Sequence, residues 1–256
     1  MSVGNTVLTE RDGAVLVVKL NRPERRNAID RATSEAVAHV MDEFDADETL
    51  SCAILTGVGN HFCAGMDLKA FLDGERVELE GRGLAGIIQT PPRKPVIAAV
   101  EGYALAGGFE IALACDLIVA SEEARFGLPE VRRGLIAGSG GLLRLPERIP
   151  RQIAMECALT GRMIPAEEAA RWGLVNRLCS ASGALDEARD LAREIAVNAP
   201  MALAASKEIV AKSGRWPAGE VWPRMNERLE KIINSQDARE GAAAFAEKRA
   251  PCWRGR

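Results

Sequence analysis

The chain has 256 residues, enough to bury a substantial core as one large domain, or as one domain with a small appendage. Basic and acidic side chains number 33 and 36, a formal net charge of −3 mixed along the whole length, which leaves no electrostatic footprint for nucleic acid or an anionic membrane. Apolar residues make up 47%, as in an ordinary soluble globular protein, and runs such as PVIAAV break far short of a membrane span.

The opening stretch, MSVGNTVLTERDG, lacks the basic start and apolar core expected of a secretory leader. NTVLTERDGAVLVVKLN alternates and then turns densely β-branched around Asp12-Gly13, which predicts a β-hairpin ended by Arg22-Pro23. Asp30 suits the N-cap of a helix through residue 44, because Ala36, Val37, Val40, Met41 and Phe44 follow helical spacing. SCAILTG reads as a buried strand, followed by the loop GNHFCAGMDLKAF. Residues 75–90 are charged and Gly-interrupted, and are expected to form a mobile loop ending at Pro91-Pro92. PVIAAVEG is a second buried strand, leading into GYALAGGFEIALACD, where a helix begins near Gly107-Gly108; DLIVAS is a third. This alternation predicts an α/β core with parallel strands. From about Pro150 helical patterns dominate, over residues 151–160, 166–172, 184–198, 201–212 and 221–234, with a single strand expected at 174–179.

Much chemistry is absent. No P-loop occurs, no G-x-G-x-x-G follows a strand, and GSGG at Gly138 to Gly141 has the wrong spacing for a dinucleotide fingerprint. There is no G-x-S-x-G elbow, and His39 and His61 are too few and wrongly spaced for a His-based metal site. Six scattered cysteines without a C-x-x-C pair suit free thiols in a reducing cytoplasm. The tryptophans Trp172, Trp216, Trp222 and Trp253 read as packing residues, and Arg22, Arg25 and Arg26 as a solvated cluster.

Glycines and carboxylates remain. Glu110 sits inside a small, apolar run, where an unpartnered ionised acid is very costly. On its own it reads as a first-turn acid complementing a helix dipole, and Glu130 after Pro129 as a turn acid. The turns HFCAGMDL and ALAGGFE both run from strand to helix through small residues. Such turns leave backbone N–H groups free, and two that converge can form an oxyanion hole.

In order and spacing, F-C-A-G-M-D-L, P-V-I-A-A-V-E-G-Y-A-L-A-G-G-F-E and F-G-L-P-E resemble the enoyl-CoA hydratase/isomerase (crotonase) superfamily. The similarity extends from N-R-P-E-R-R-N-A to F-A-E-K-R-A-P. Within it, stretches such as A-E-E-A-A-R-W-G-L-V-N-R resemble the carnitinyl-CoA dehydratase subgroup. The resemblance implies a crotonase fold of repeated ββα units, with the core and acyl-CoA site in residues 1–195. A helical trimerisation region would occupy 196–256, in a homotrimer or homohexamer. The implied substrate is an acyl-CoA thioester, with no metal, no redox cofactor and no nucleic-acid or membrane partner. Backbone N–H groups of Met66 and Gly107 would hold the thioester oxygen, and Glu110 and Glu130 would be the catalytic acids of a hydratase. Substrate or CoA contacts are implied at Arg25, Ala64, Gly65, Asp67, Leu68, Gly108, Pro129, Phe245 and Lys248. Asp67 also reads as a helix-start acid. The rival reactions are double-bond isomerisation and thioester hydrolysis; the non-enzyme rival is acyl-CoA or RNA binding.

Overall fold

The computed structural model describes residues 6–256; residues 1–5, part of the stretch read as lacking a leader, lie outside it. The expected hairpin is β1 (Val7–Asp12) with β2 (Val15–Leu20), antiparallel and closed by Gly13 at φ +60. α1 (Arg31–Ala46) starts where predicted, with the Asp30 carboxylate accepting the Thr33 N–H at 2.8 Å. There follow β3 (Cys52–Gly57), α2 (Leu68–Leu72), β4 (Val96–Val100), β5 (Tyr103–Leu105), α3 (Gly107–Ala114), β6 (Leu117–Ser121) and β7 (Arg125–Gly127). Next come α4 (Gly141–Arg148), α5 (Arg151–Thr160), β8 (Ile164–Pro165), α6 (Ala166–Arg171), β9 (Arg177–Cys179) and α7 (Ala184–Ala196). The chain ends in α8 (Pro200–Lys212), α9 (Val221–Ile233) and α10 (Gln236–Glu247).

The main sheet has the order β1-β2-β3-β4-β6-β9, parallel from β2 onward. After each of β2, β3, β4 and β6 the chain turns and runs briefly in a second layer before the next helix. Residues 26–29 lie beside 64–66, joined by Ala64 N–H to Arg26 O and Ile29 N–H to Gly65 O. Cys63 bridges Ala104, and β5 pairs with β7, so the layer continues across the molecule. This is the repeated ββα unit. The second-layer strands escaped the sequence reading because one to three residues show no periodicity.

Alternation along the strands sends side chains to two cores. Val15, Val17, Cys52, Ile54, Ile97, Ala99 and Val119 pack under Ala184, Ala188 and Ala192 of α7. Val18, Leu20, Leu55, Ala98, Val100 and Ile118 face the other way, toward Phe109, Phe126 and the second layer. All six cysteines are free, four of them buried.

Two expectations about packing fail here. Residues 75–90 form no loose loop: Val77, Leu84, Ala85, Ile87 and Ile88 are at most 3% exposed. The segment is tied to α1 by the Ser34 hydroxyl, which accepts the Ala85 N–H, and by a bidentate Arg82–Asp42 pair at 2.6 and 2.8 Å. Apolar residues scattered among charges hid a packed segment that has no regular repeat. Trp222 does not pack within the chain, being 71% exposed. Trp216 lies under Arg224 and Arg228, Trp172 under Arg162, and Trp253 donates to Val197 O.

The C-terminal helices attach to the core through Lys207, which pairs with Asp116 at 2.6 Å and donates to Lys94 O. Val210, Leu229, Ile233 and Phe245 stand exposed on them. Among the described residues no helix is long and apolar enough to cross a membrane.

Burial of residues 75–90 is testable. Leu84→Ala should destabilise the protein by about 2–4 kcal/mol in urea unfolding, whereas a loss below about 0.5 kcal/mol would mark a solvated loop.

Candidate active site

Two turns meet where the second layer passes into helices. The first carries Gly65 and Met66 and enters α2; the second carries Ala106 and Gly107 and enters α3. Gly65 has φ +96, and a Cβ there would stand 2.9 Å from Gly107 N. A Cβ on Gly107 would lie 3.5 Å from Met66 N and 2.4 Å from Leu84 Cδ2, while one on Gly108 would be 2.2 Å from Cys63 O. A side chain on Gly65 or Gly108 would force the turns apart, and one on Gly107 would displace Leu84. Ala106 adopts φ +52 and ψ −131, which aims the chain so that α3 begins at Gly107. Holding a non-glycine residue there costs on the order of 1–3 kcal/mol.

The bridge between Ile29 and Met66 uses Ile29 N–H to Gly65 O and Asp67 N–H to Ile29 O, which leaves Met66 N–H outside it. Gly107 N–H lies in the first turn of α3, beyond reach of any helical carbonyl. Two backbone donors therefore stand close together on rigid elements, the arrangement needed to stabilise charge developing on an oxygen.

A bracket built from N-R-P-E-R-R-N-A holds the first turn. Arg22 is no solvated residue: it pairs with Asp67 at 2.9 Å and Asp30 at 3.0 Å and donates to Ala28 O. Asp67 in turn caps α2 through Lys69 N–H and Ala70 N–H, and these partners with Arg22 hold its carboxyl below the usual range despite burial. Asn27, 1% exposed, donates to Val58 O and His61 O and accepts from Arg22 N–H. The chain after β2 thus clamps the loop after β3.

Glu110, one turn beyond Gly107, is 2% exposed. Its Oε1 accepts the N–H of Gly141, the first residue of α4, at 2.8 Å. Burial pushes this carboxyl up to about 7; the Gly141 N–H resists, and the Glu130 charge adds to the rise. Glu130 stands in a 3-10 turn, Pro129–Arg133, begun by Pro129 and ended by Gly134 at φ +69. Burial raises its carboxyl too, and its Oε2 is buried with no hydrogen-bond partner among the described residues. Glu130 also lines a cavity of about 410 Å³ with Leu128, Val131, Ile136, Leu142, Leu145, Met155 and Leu159 among its walls.

The fold therefore assembles Ala64, Gly65, Met66, Asp67, Gly107 and Gly108 around the paired turns, with Glu110 following in α3. Glu130 joins them through its charge coupling to Glu110, and Pro129 begins the 3-10 turn that carries it. Leu68 opens α2 and is 46% exposed. Arg25 lies exposed at the end of its 3-10 turn. Phe245, 87% exposed, and Lys248, the left-handed cap of α10, make no hydrogen bond or ion pair with the turns among the described residues. The sequence reading missed Gly141. GSGG is the start of a helix, and a Cβ on Gly141 would come within 2.9 Å of Glu110 Cγ. Its signal was the amphipathic LLRLPERI directly behind it.

The raised Glu110 pKa has a consequence for stability. The folded chain keeps this proton to about pH 7, whereas the unfolded chain releases it near 4.5, so stability falls as pH rises between those values. Glu110→Gln should match wild type near pH 4.5 and exceed it above pH 7, by roughly 3 kcal/mol at most. Thermal melts across that range check this; a difference independent of pH would contradict the desolvation of Glu110.

The enoyl-CoA hydratase/isomerase family model matches residues 10–256. A carnitinyl-CoA dehydratase from Proteus mirabilis is 46% identical over 257 residues, spanning 97% of this chain and 98% of that protein. The crystal structure of an enoyl-CoA hydratase from Mycobacterium tuberculosis, 54% identical, superposes with a TM-score of 0.97 over 98% of this chain and 100% of that one. A carnitinyl-CoA hydratase structure from Mycobacterium avium is 42% identical with a TM-score of 0.79, over 98% and 99%. Fold, motifs and similarity agree: the chain belongs to the enoyl-CoA hydratase/isomerase family.

Proposed function

We propose that the protein catalyses reversible syn addition of water to a trans-2-enoyl-CoA thioester. The observation that carries this reading is the pairing of two desolvated carboxyls with two free backbone N–H groups. In the proposed complex Met66 N–H and Gly107 N–H bind the thioester oxygen. As water adds, enolate charge grows there, and donors already in place stabilise it without reorganising.

Glu110 is assigned as the base. Its Oε1 is oriented by Gly141 N–H, and a pKa of about 7 suits proton exchange near neutrality. Water oxygen bonds to Cβ while its proton passes to Glu110. In the proposed step Glu130, whose carboxyl burial shifts upward, acts in its protonated form and delivers a proton to Cα, and the proton gained by Glu110 restores it before the next cycle. An isomerase manages with one carboxyl, so the pair favours hydration.

A second substrate reading, a carnitinyl-CoA thioester, is carried by the full-length identity to the Proteus mirabilis dehydratase. The substrate and CoA contacts implied by the resemblance belong to this proposal. Residues 196–256 are proposed to form trimer contacts, a role suited to the exposed Val210, Trp222, Ile233 and Phe245, with Phe245 and Lys248 reaching the CoA of a neighbouring site. Free, largely buried thiols suit the proposed cytoplasmic location.

Glu110→Gln and Glu130→Gln should each lower kcat for crotonyl-CoA hydration by about 10²–10⁴-fold, with CoA binding by calorimetry little changed. Near-wild-type turnover in either variant would remove that glutamate from the mechanism.

A further inference from the structure

The two substrate readings differ in charge. A carnitinyl or crotonobetainyl chain ends in a trimethylammonium group, whereas a simple enoyl chain ends in hydrocarbon. A thioester whose oxygen sits on Met66 N–H and Gly107 N–H must place its Cα–Cβ bond against Glu110 and Glu130, and the rest of the acyl chain must continue past them. Beyond Glu130 lies the cavity of about 410 Å³. Its wall is continuous with the acids: Glu130 lines it directly, and Leu142 in the same wall follows Gly141, the residue bonded to Glu110.

We propose that this cavity is the acyl pocket and that it selects neutral aliphatic enoyl chains over one ending in a quaternary ammonium. Val131, Ile136, Leu142, Leu145, Met155 and Leu159 give it an aliphatic lining. No Phe, Tyr or Trp is among its lining residues, so there is no aromatic face to attract a quaternary ammonium. Its charged residues are Glu130 and Arg151. Arg151 has no ion pair among the described residues and would repel a cation. The Glu130 carboxyl already has a cationic neighbour in Arg133, whose charge acts on it in place of a substrate cation. A trimethylammonium group there would lose water, meet Arg151, and gain no aromatic ring among the lining residues.

The inference rests on the hydratase reading. Its test compares crotonobetainyl-CoA with its neutral isostere 5,5-dimethylhex-2-enoyl-CoA, in which carbon replaces the ammonium nitrogen, using crotonyl-CoA as reference. The isostere should have a kcat/KM at least about tenfold above that of crotonobetainyl-CoA. Ala158→Phe, at a further lining residue, should lower kcat/KM for a dec-2-enoyl thioester relative to that for crotonyl-CoA by about tenfold or more. Arg151→Glu should shift the preference toward the cationic substrate.

Preference of the wild type for crotonobetainyl-CoA over its isostere would overturn the proposal, as would an Ala158→Phe variant in which the ratio of long-chain to crotonyl-CoA kcat/KM is unchanged. Either result leaves the hydratase reading standing. Failure of the wild type to hydrate crotonyl-CoA would instead overturn that reading, and this inference with it.

Discussion

Two pieces of backbone approach each other so closely that a single methyl group would separate them, and the site depends on that approach. Gly108 lies against Cys63 O, Gly65 against Gly107 N, and Gly107 against Leu84. No side chain can make this contact, because the groups brought together are main-chain N–H groups. Everything around it serves as a frame. The second-layer ladder sets the heights of the two turns, the Arg22–Asp67–Asp30 cluster and Asn27 clamp one of them, and residues 75–90 press Leu84 onto the other.

Against that frame the acids sit where a stability-maximising sequence would not put them. Glu110 is desolvated at the start of α3, and Gly141 at the N-terminus of α4 compensates only part of the cost, as its raised pKa records. Glu130 leaves a buried oxygen without a partner among the described residues. Such uncompensated polar atoms are rare in native interiors, and they concentrate where a protein needs reactive groups. The strained Ala106 belongs to the same pattern, with local cost exchanged for the placement of an N–H group.

Long elements with clear periodicity were legible from the residues: the hairpin, α1 with its Asp30 cap, the buried strands, and helices α5 to α9. Glu110 and Glu130, Met66 and Gly107 were legible only through motif resemblance, because nothing in a Met or a Gly announces a free N–H. What stayed hidden depends on contacts between residues distant in sequence. Gly141 meets Glu110 across 31 positions, and Arg22 meets Asp67 across 45. Residues 75–90 lacked a repeat to betray their burial. The three-residue strands that build the second layer are defined by their partners alone.

The central claim is that the paired N–H groups polarise the thioester carbonyl, and vibrational difference spectra of a bound conjugated enoyl-CoA measure it directly. The C=O stretch should move to lower wavenumber on binding to the wild type, and Gly65→Ala, whose new Cβ would stand 2.9 Å from Gly107 N, should lose the shift. A carbonyl frequency unchanged from that of the free thioester in solution would contradict the account.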